Sequence, residues 1–207
     1  MEILIILAFG VAYHVLKSRE QKRRITLLGG YLGHFEIEKL MEGLMEGYLR
    51  ALGESSPERQ TQVWEHLRTQ EERLRDQFSE FSKDFAGVWA DDARVSTLAV
   101  AFPLADKLFP AATFDVRQAF KMHAQGIENG VSHSQHLQSK DRAFLLMAEL
   151  MLMQHTCHWF CRSKTVASAR LLARHKTHYA QVLESVSPQT RQAYVKLLIT
   201  QPIFKQK

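Results

Sequence analysis

Six residues in the last third of the chain carry side chains that bind metals: His155, Cys157, His158, Cys161, His175 and His178. Imidazole nitrogen and thiolate sulfur are ligands that zinc favours, and a structural zinc site takes about four of them. If the chain reverses near Val166 as an antiparallel hairpin, His155 opposes His178 and His158 opposes His175. Two neighbouring helices would then offer four imidazoles, with a thiolate able to replace one. Several marks of such a site are missing. Cys157 and Cys161 lie on a different part of the helix surface from His155, so the six groups do not all converge. The spacing is neither C-x-x-C nor H-E-x-x-H, and no Glu-x-x-His pair of the di-iron bundle type occurs. A helical metal- or small-ligand-binding protein built on His155, His158, His175 and His178, with zinc as its cofactor, is therefore the alternative reading. The first reading carries no cofactor.

Other chemistry is weaker still. His133 and His136 sit with Ser132 and Ser134 in a polar stretch, Val131–Gln138. A serine nucleophile needs a base and an orienting acid, and no acid is placed by the spacing. That stretch reads as a solvated loop. Gly29-Gly30-x-x-Gly33 lacks the Lys-Ser/Thr that completes a phosphate-binding loop. Arg162, Lys164, Arg170, Arg174 and Lys176 make a basic helix face, but no aromatic residues interleave with them as in a single-strand binder. Nucleic acid is not the expected partner, and catalysis is not expected.

The elements that would have to position these groups are helical. The dominant feature lies at the other end, where Ile3–Leu16 runs without a formal charge and is followed by Lys17, Arg19, Lys22, Arg23 and Arg24, opposed only by Glu20. A secretory signal would place its positive charge before the apolar run and a small-residue cleavage site after it. Neither is present. Two readings remain, a buried core helix and a short membrane anchor. Fourteen residues rise about 21 Å, short of a hydrocarbon core of about 30 Å. Snorkelling by Lys17 and local thinning recover part of the difference. A core helix that is apolar on every side must be covered on every side. The anchor is therefore expected: residues 1–24, with Ile3, Leu7, Phe9, Tyr13 and Leu16 in the acyl region and the five cations at the headgroups. The positive-inside rule then predicts a single span, N-terminus out, with residues 25–207 as a cytoplasmic helical domain.

The remainder reads as an all-α, antiparallel helical bundle. With a net charge of +5 in 207 residues and 45% apolar content, the chain is neither disordered nor strongly polyanion-seeking. Two cysteines do not make a disulfide framework. Ile25–Phe35 carries three glycines and reads as a joint or the first core segment. Ile37–Leu52 is amphipathic, with Gly43, Gly47 and Ala51 forming a ridge for close packing against another helix. Ser56-Pro57 caps a long helix whose Trp64, Leu67, Leu74, Phe78, Phe81, Phe85 and Val88 follow a near-heptad broken at Glu71. That stripe suits self-association through 57–88, or the long helix of a bundle. Phenylalanine is bulky for a two-stranded seam, which favours the bundle. A helix from Asp91 or Asp92 toward Pro110 is expected, then one from Phe114 to Ile127. Next comes a central helix after Ser139, in which Glu149 needs a buried partner, an arginine for choice. One amphipathic helix over Val166–Val186 and another after Ser187-Pro188 complete the chain. No strand pattern is legible. Taken together, the expected function is a membrane-tethered interaction or scaffold protein without catalytic activity, with an unnamed protein partner.

Overall fold

The computed structural model describes residues 1–133 and 137–199. Among them are nine α-helices: α1 Glu2–Leu32, α2 Ile37–Gly53, α3 Pro57–Phe85, α4 Ala105–Leu108, α5 Val116–Glu128, α6 Ser139–Cys161, α7 Lys164–His175, α8 Tyr179–Ser185 and α9 Pro188–Ile199. The all-α expectation holds. Two three-residue strands, β1 Arg94–Ser96 and β2 Thr113–Asp115, pair antiparallel with Val95 opposite Phe114. They replace part of the helix expected between Asp91 and Pro110. Runs this short carry no readable alternation.

The long helix α3 starts where its cap requires. Ser56 Oγ accepts from the Arg59 amide and Pro57 occupies the first turn. Its stripe turns inward. Phe78, Phe81 and Phe85 are fully buried and meet Phe120 of α5 at ring-centre distances of 6.4, 5.1 and 5.0 Å. Phe85 also meets Phe160 of α6 at 6.1 Å and Tyr31 of α1 at 5.1 Å. The seam proposed for self-association over 57–88 is thus taken up by the chain's own core, as the bundle reading requires. The glycine ridge of α2 packs on α3: a Cβ on Gly47 would stand 2.3 Å from Leu67 Cδ2.

Helix α6 is central, in contact with α1, α2, α5, α7 and α8. Its Glu149 is buried, but its partner is not an arginine. The Ser187 amide donates to Glu149 Oε1 at 3.0 Å, and burial raises the carboxyl pKa. The arginine goes to the other buried acid, the heptad break Glu71. Tyr48 Oη donates to Glu71 Oε1 at 2.8 Å, and Arg142 Nη2 lies 3.4 Å from Oε2. The single helix expected over 166–186 is two, divided at Lys176, which adopts the left-handed conformation with φ 54°.

Helix α1 runs unbroken through residue 24 and through Gly29 and Gly30, so no joint interrupts it. Its two ends behave differently. Leu28 is buried, and Leu27, Tyr31 and Leu32 pack on the core, which makes 25–32 a core segment. Every large apolar side chain from Ile3 to Leu16 is exposed. No helix among the described residues is long and apolar enough to cross a membrane. The single span expected of residues 1–24 is thus not supported: the charge-free part of α1 ends at Lys17, short of the hydrocarbon thickness.

Candidate functional site

The nominated histidines occupy four separate settings. The hairpin that was to bring them together exists, since Arg162 ends α6 and the Ser163 hydroxyl caps α7 by accepting from the Val166 amide. Convergence does not follow. His155 is buried, its Nε2 is 3.0 Å from Ser168 Oγ, and its ring stacks on Tyr179 at 4.4 Å. His175 Nε2 is 2.9 Å from Gln154 Oε1. The His178 side chain caps α8. His158 lines a groove near Arg170 and Arg174. Among the described residues no group of three or more His, Cys, Asp or Glu could hold a metal ion. The four rings of the zinc reading, His155, His158, His175 and His178, are not brought together. Three of the rings are engaged by different neighbours and His158 faces the groove, because helix register turned their faces apart.

Burial keeps the interior rings neutral. It depresses His155 and His123 to about 3, with Lys164 adding to the effect at His155 and His155 adding to it at His123. Lys164 Nζ lies 5.3 Å from both the Trp159 and Tyr179 ring centres, a cation already seated between aromatic faces. No motif or spacing points to His123, whose Nε2 lies 2.9 Å from Thr156 Oγ1 in the core. Of the nominated loop residues, Ser134 and His136 lie outside the described residues, as does the His133 side chain. The 129–133 backbone forms a π-helical turn rather than a loop.

What remains as a site is the surface around the first half of α1. Ile3 is 81% exposed, Ile6 71% and Phe9 72%, and the exposure runs all round the helix. Below them the collar divides. Arg19 and Lys22 are exposed, and Lys17 Nζ stands 5.7 Å from the Tyr13 ring centre. Arg23 pairs with Asp92 at 2.9 Å. Arg24 turns inward, where it pairs with Glu20 at 2.7 Å and donates to the Phe160 carbonyl at 3.3 Å. Its desolvation lowers its pKa. Arg24 is therefore withdrawn from the headgroup set, and Lys17, Arg19 and Lys22 are its available members.

A groove of about 470 Å³ opens beside the body segment of α1, between α2, α6 and α7. Leu28, Leu32, Met41 and Met153 give it an apolar wall, and Arg162, Arg170 and Arg174 stand on its cationic side. Burial raises the Cys157 thiol and pushes Cys161 up to about 11, while His158 falls to about 4. These three wall groups are consequently uncharged at neutral pH.

No known protein family matches the chain, and neither do any curated proteins or solved structures. Fold and surface define an all-α protein with a projecting apolar helix.

Proposed function

We propose that the protein is a membrane-tethered interaction or scaffold protein without catalytic activity, held at a bilayer surface by the first half of α1. The observation that carries this reading is exposure on all sides of Ile3–Leu16. An amphipathic helix can be covered by one neighbour; this one cannot. Lipid surrounds a helix uniformly, and each large apolar side chain it covers contributes roughly 1.5–3 kcal/mol. Lys17, Arg19 and Lys22 add attraction for anionic headgroups of about 1 kcal/mol each, which favours the cytoplasmic leaflet. The tether enters the bilayer without crossing it.

Replacing Ile6 and Phe9 by aspartate tests this. Flotation with vesicles of equal parts phosphatidylcholine and phosphatidylglycerol is expected to recover the wild type and to lose the variant by about a hundredfold or more. The melting temperature should not move, because Ile6 and Phe9 are 71% and 72% exposed. Equal flotation of both proteins, or of neither, ends this reading.

The groove favours a second reading, a small-ligand-binding protein that takes an amphiphile with an apolar body and an anionic end. Arg170 is held in no ion pair among the described residues, whereas Arg174 pairs with Glu42. Gly29 lines the groove and a Cβ there meets nothing within 4 Å, so Gly29→Phe is the variant chosen to obstruct it. Saturable binding of cis-parinaric acid by the wild type, lost in Gly29→Phe at unchanged melting temperature, is the expected result. Unaltered binding in the variant would exclude the groove.

A further inference from the structure

The segment 97–112, between the two strands, carries five exposed large apolar residues: Val100, Phe102, Leu104, Leu108 and Phe109. An ordinary surface loop is polar, and a contiguous apolar patch marks a contact. This patch lies against α1 at the base of the apolar rod. Tyr13 Oη donates to the Ala101 carbonyl at 2.9 Å, and the Tyr13 and Phe102 rings meet edge to face at 6.1 Å. Phe102 in turn meets Phe109 at 6.0 Å. About two turns further along α1, Glu20 Oε2 accepts from the Leu104 amide at 3.2 Å. On its other side the segment is pinned to α7, where Thr165 Oγ1 donates to the Ala99 carbonyl at 2.6 Å.

Leu104 is held at φ 57°, ψ 24°. A left-handed leucine costs about 1 kcal/mol or more, which glycine or asparagine would avoid. The leucine kept there, with its amide fixed by the collar's only acid, is only partly covered by the protein, at 45% exposure. Its exposure suits a surface that is covered by something else.

We infer that segment 97–112 is a second bilayer-contacting element, which enters the interface beside α1 and fixes the depth at which the body rides. This rests on the tether reading above. The occupant is lipid for three reasons. The patch is continuous with the rod at Tyr13. Cations flank it, Lys17 on the α1 face that meets the segment and Lys107 on α4, while Glu20 is engaged by Arg24 and Leu104 and Asp106 stands near Arg24. Finally, Tyr13, Phe102 and Phe109 form an aromatic group at one level, where a membrane interface accommodates ring residues. The clamp at Tyr13 leaves the ten-residue rise from Ile3, about 15 Å, free to sink below that level.

The test uses full-length protein, vesicles of equal parts phosphatidylcholine and phosphatidylglycerol, and brominated acyl chains as quenchers. Tryptophan is placed at Phe102, at Leu108 and, as a probe of the rod, at Phe9. Quenching of all three, with the loop probes most sensitive to bromines nearest the headgroup, is expected. Val100, Phe102 and Leu108 replaced together by serine should weaken vesicle partition by roughly tenfold or more at unchanged melting temperature. Quenching at Phe9→Trp without quenching in the loop overturns this inference and leaves the tether standing. No quenching at any of the three overturns both. A triple variant that instead breaks up a dimer, with the loop probes unquenched, assigns the patch to a second copy of the chain and overturns the lipid assignment.

Discussion

Replacing Arg142 by alanine is expected to destabilise the protein by about 3–5 kcal/mol at pH 8, although no proposed site is touched. The reason is Glu71, a carboxylate only 2% exposed on a helix that otherwise presents apolar side chains to the core. It stays compatible with that core through two donors, Tyr48 Oη at 2.8 Å and the Arg142 guanidinium at 3.4 Å. Burial raises the Glu71 pKa, and Tyr48 and Arg142 pull it back. Without Arg142 the charge has the phenol alone. The deficit should shrink toward pH 5, because a buried carboxyl with a raised pKa gains a proton as pH falls and the uncompensated charge disappears. Glu71→Gln in the Arg142→Ala background removes the charge, keeps an acceptor for Tyr48, and should recover most of the loss. Urea denaturation of the two single variants and the double variant reads the coupling directly. A single-variant cost under about 1 kcal/mol, unchanged by pH, would show that Glu71 is not held as a charge.

Acidification gives the second large effect. His123 and His155 are fully buried and depressed to about 3, against about 6.5 in an unfolded chain. Below pH 6.5 the unfolded state binds protons that the folded state refuses, so stability falls with pH. The contribution is complete above about 6.5 and is lost progressively toward 3. At pH 5 each ring costs about 2 kcal/mol, or about 4 kcal/mol for the two. Glu71 and Glu149 act in the opposite sense. Their raised pKa values mean that the folded state takes up protons first as pH falls, which makes the net slope shallower. Urea melts at pH 7 and pH 5 isolate the imidazole part when wild type is compared with His123→Gln. The variant is expected to lose about 2 kcal/mol less over that interval. Identical slopes would mean that His123 is not a neutral ring in a dry site.

Several features were legible in residue order. The stripe Leu67, Leu74, Phe78, Phe81, Phe85 is inward-facing, and the choice of phenylalanine correctly favoured a bundle over a seam. Gly43 and Gly47 marked a close helix contact, and Gly47 makes one with Leu67. The apolar surroundings of Glu149 imply its burial, but not that its donor is the Ser187 amide rather than an arginine. The same limit undid the zinc reading. His155 and His175 do lie on adjoining helices, but spacing along two helices does not fix their mutual rotation. The strand pair escaped notice because three residues hold too little pattern.

By itself, the order of residues determined the long helices and which of their faces go inward, and that Ile3–Leu16 has no charged side. These properties arise within a turn or two of chain, where spacing at three, four and seven residues dictates what shares a face. The tertiary structure alone decided who meets whom. Tyr48 finds Glu71 across 23 residues, Tyr13 finds the 101 carbonyl across 88, and Arg162 finds Gln21 across 141. Such meetings depend on the rotation and offset of packed helices, set by the summed fit of the whole core, and no local period encodes them. For that reason the exposed rod could be read from its own residues, while the apolar segment clamped beside it could not.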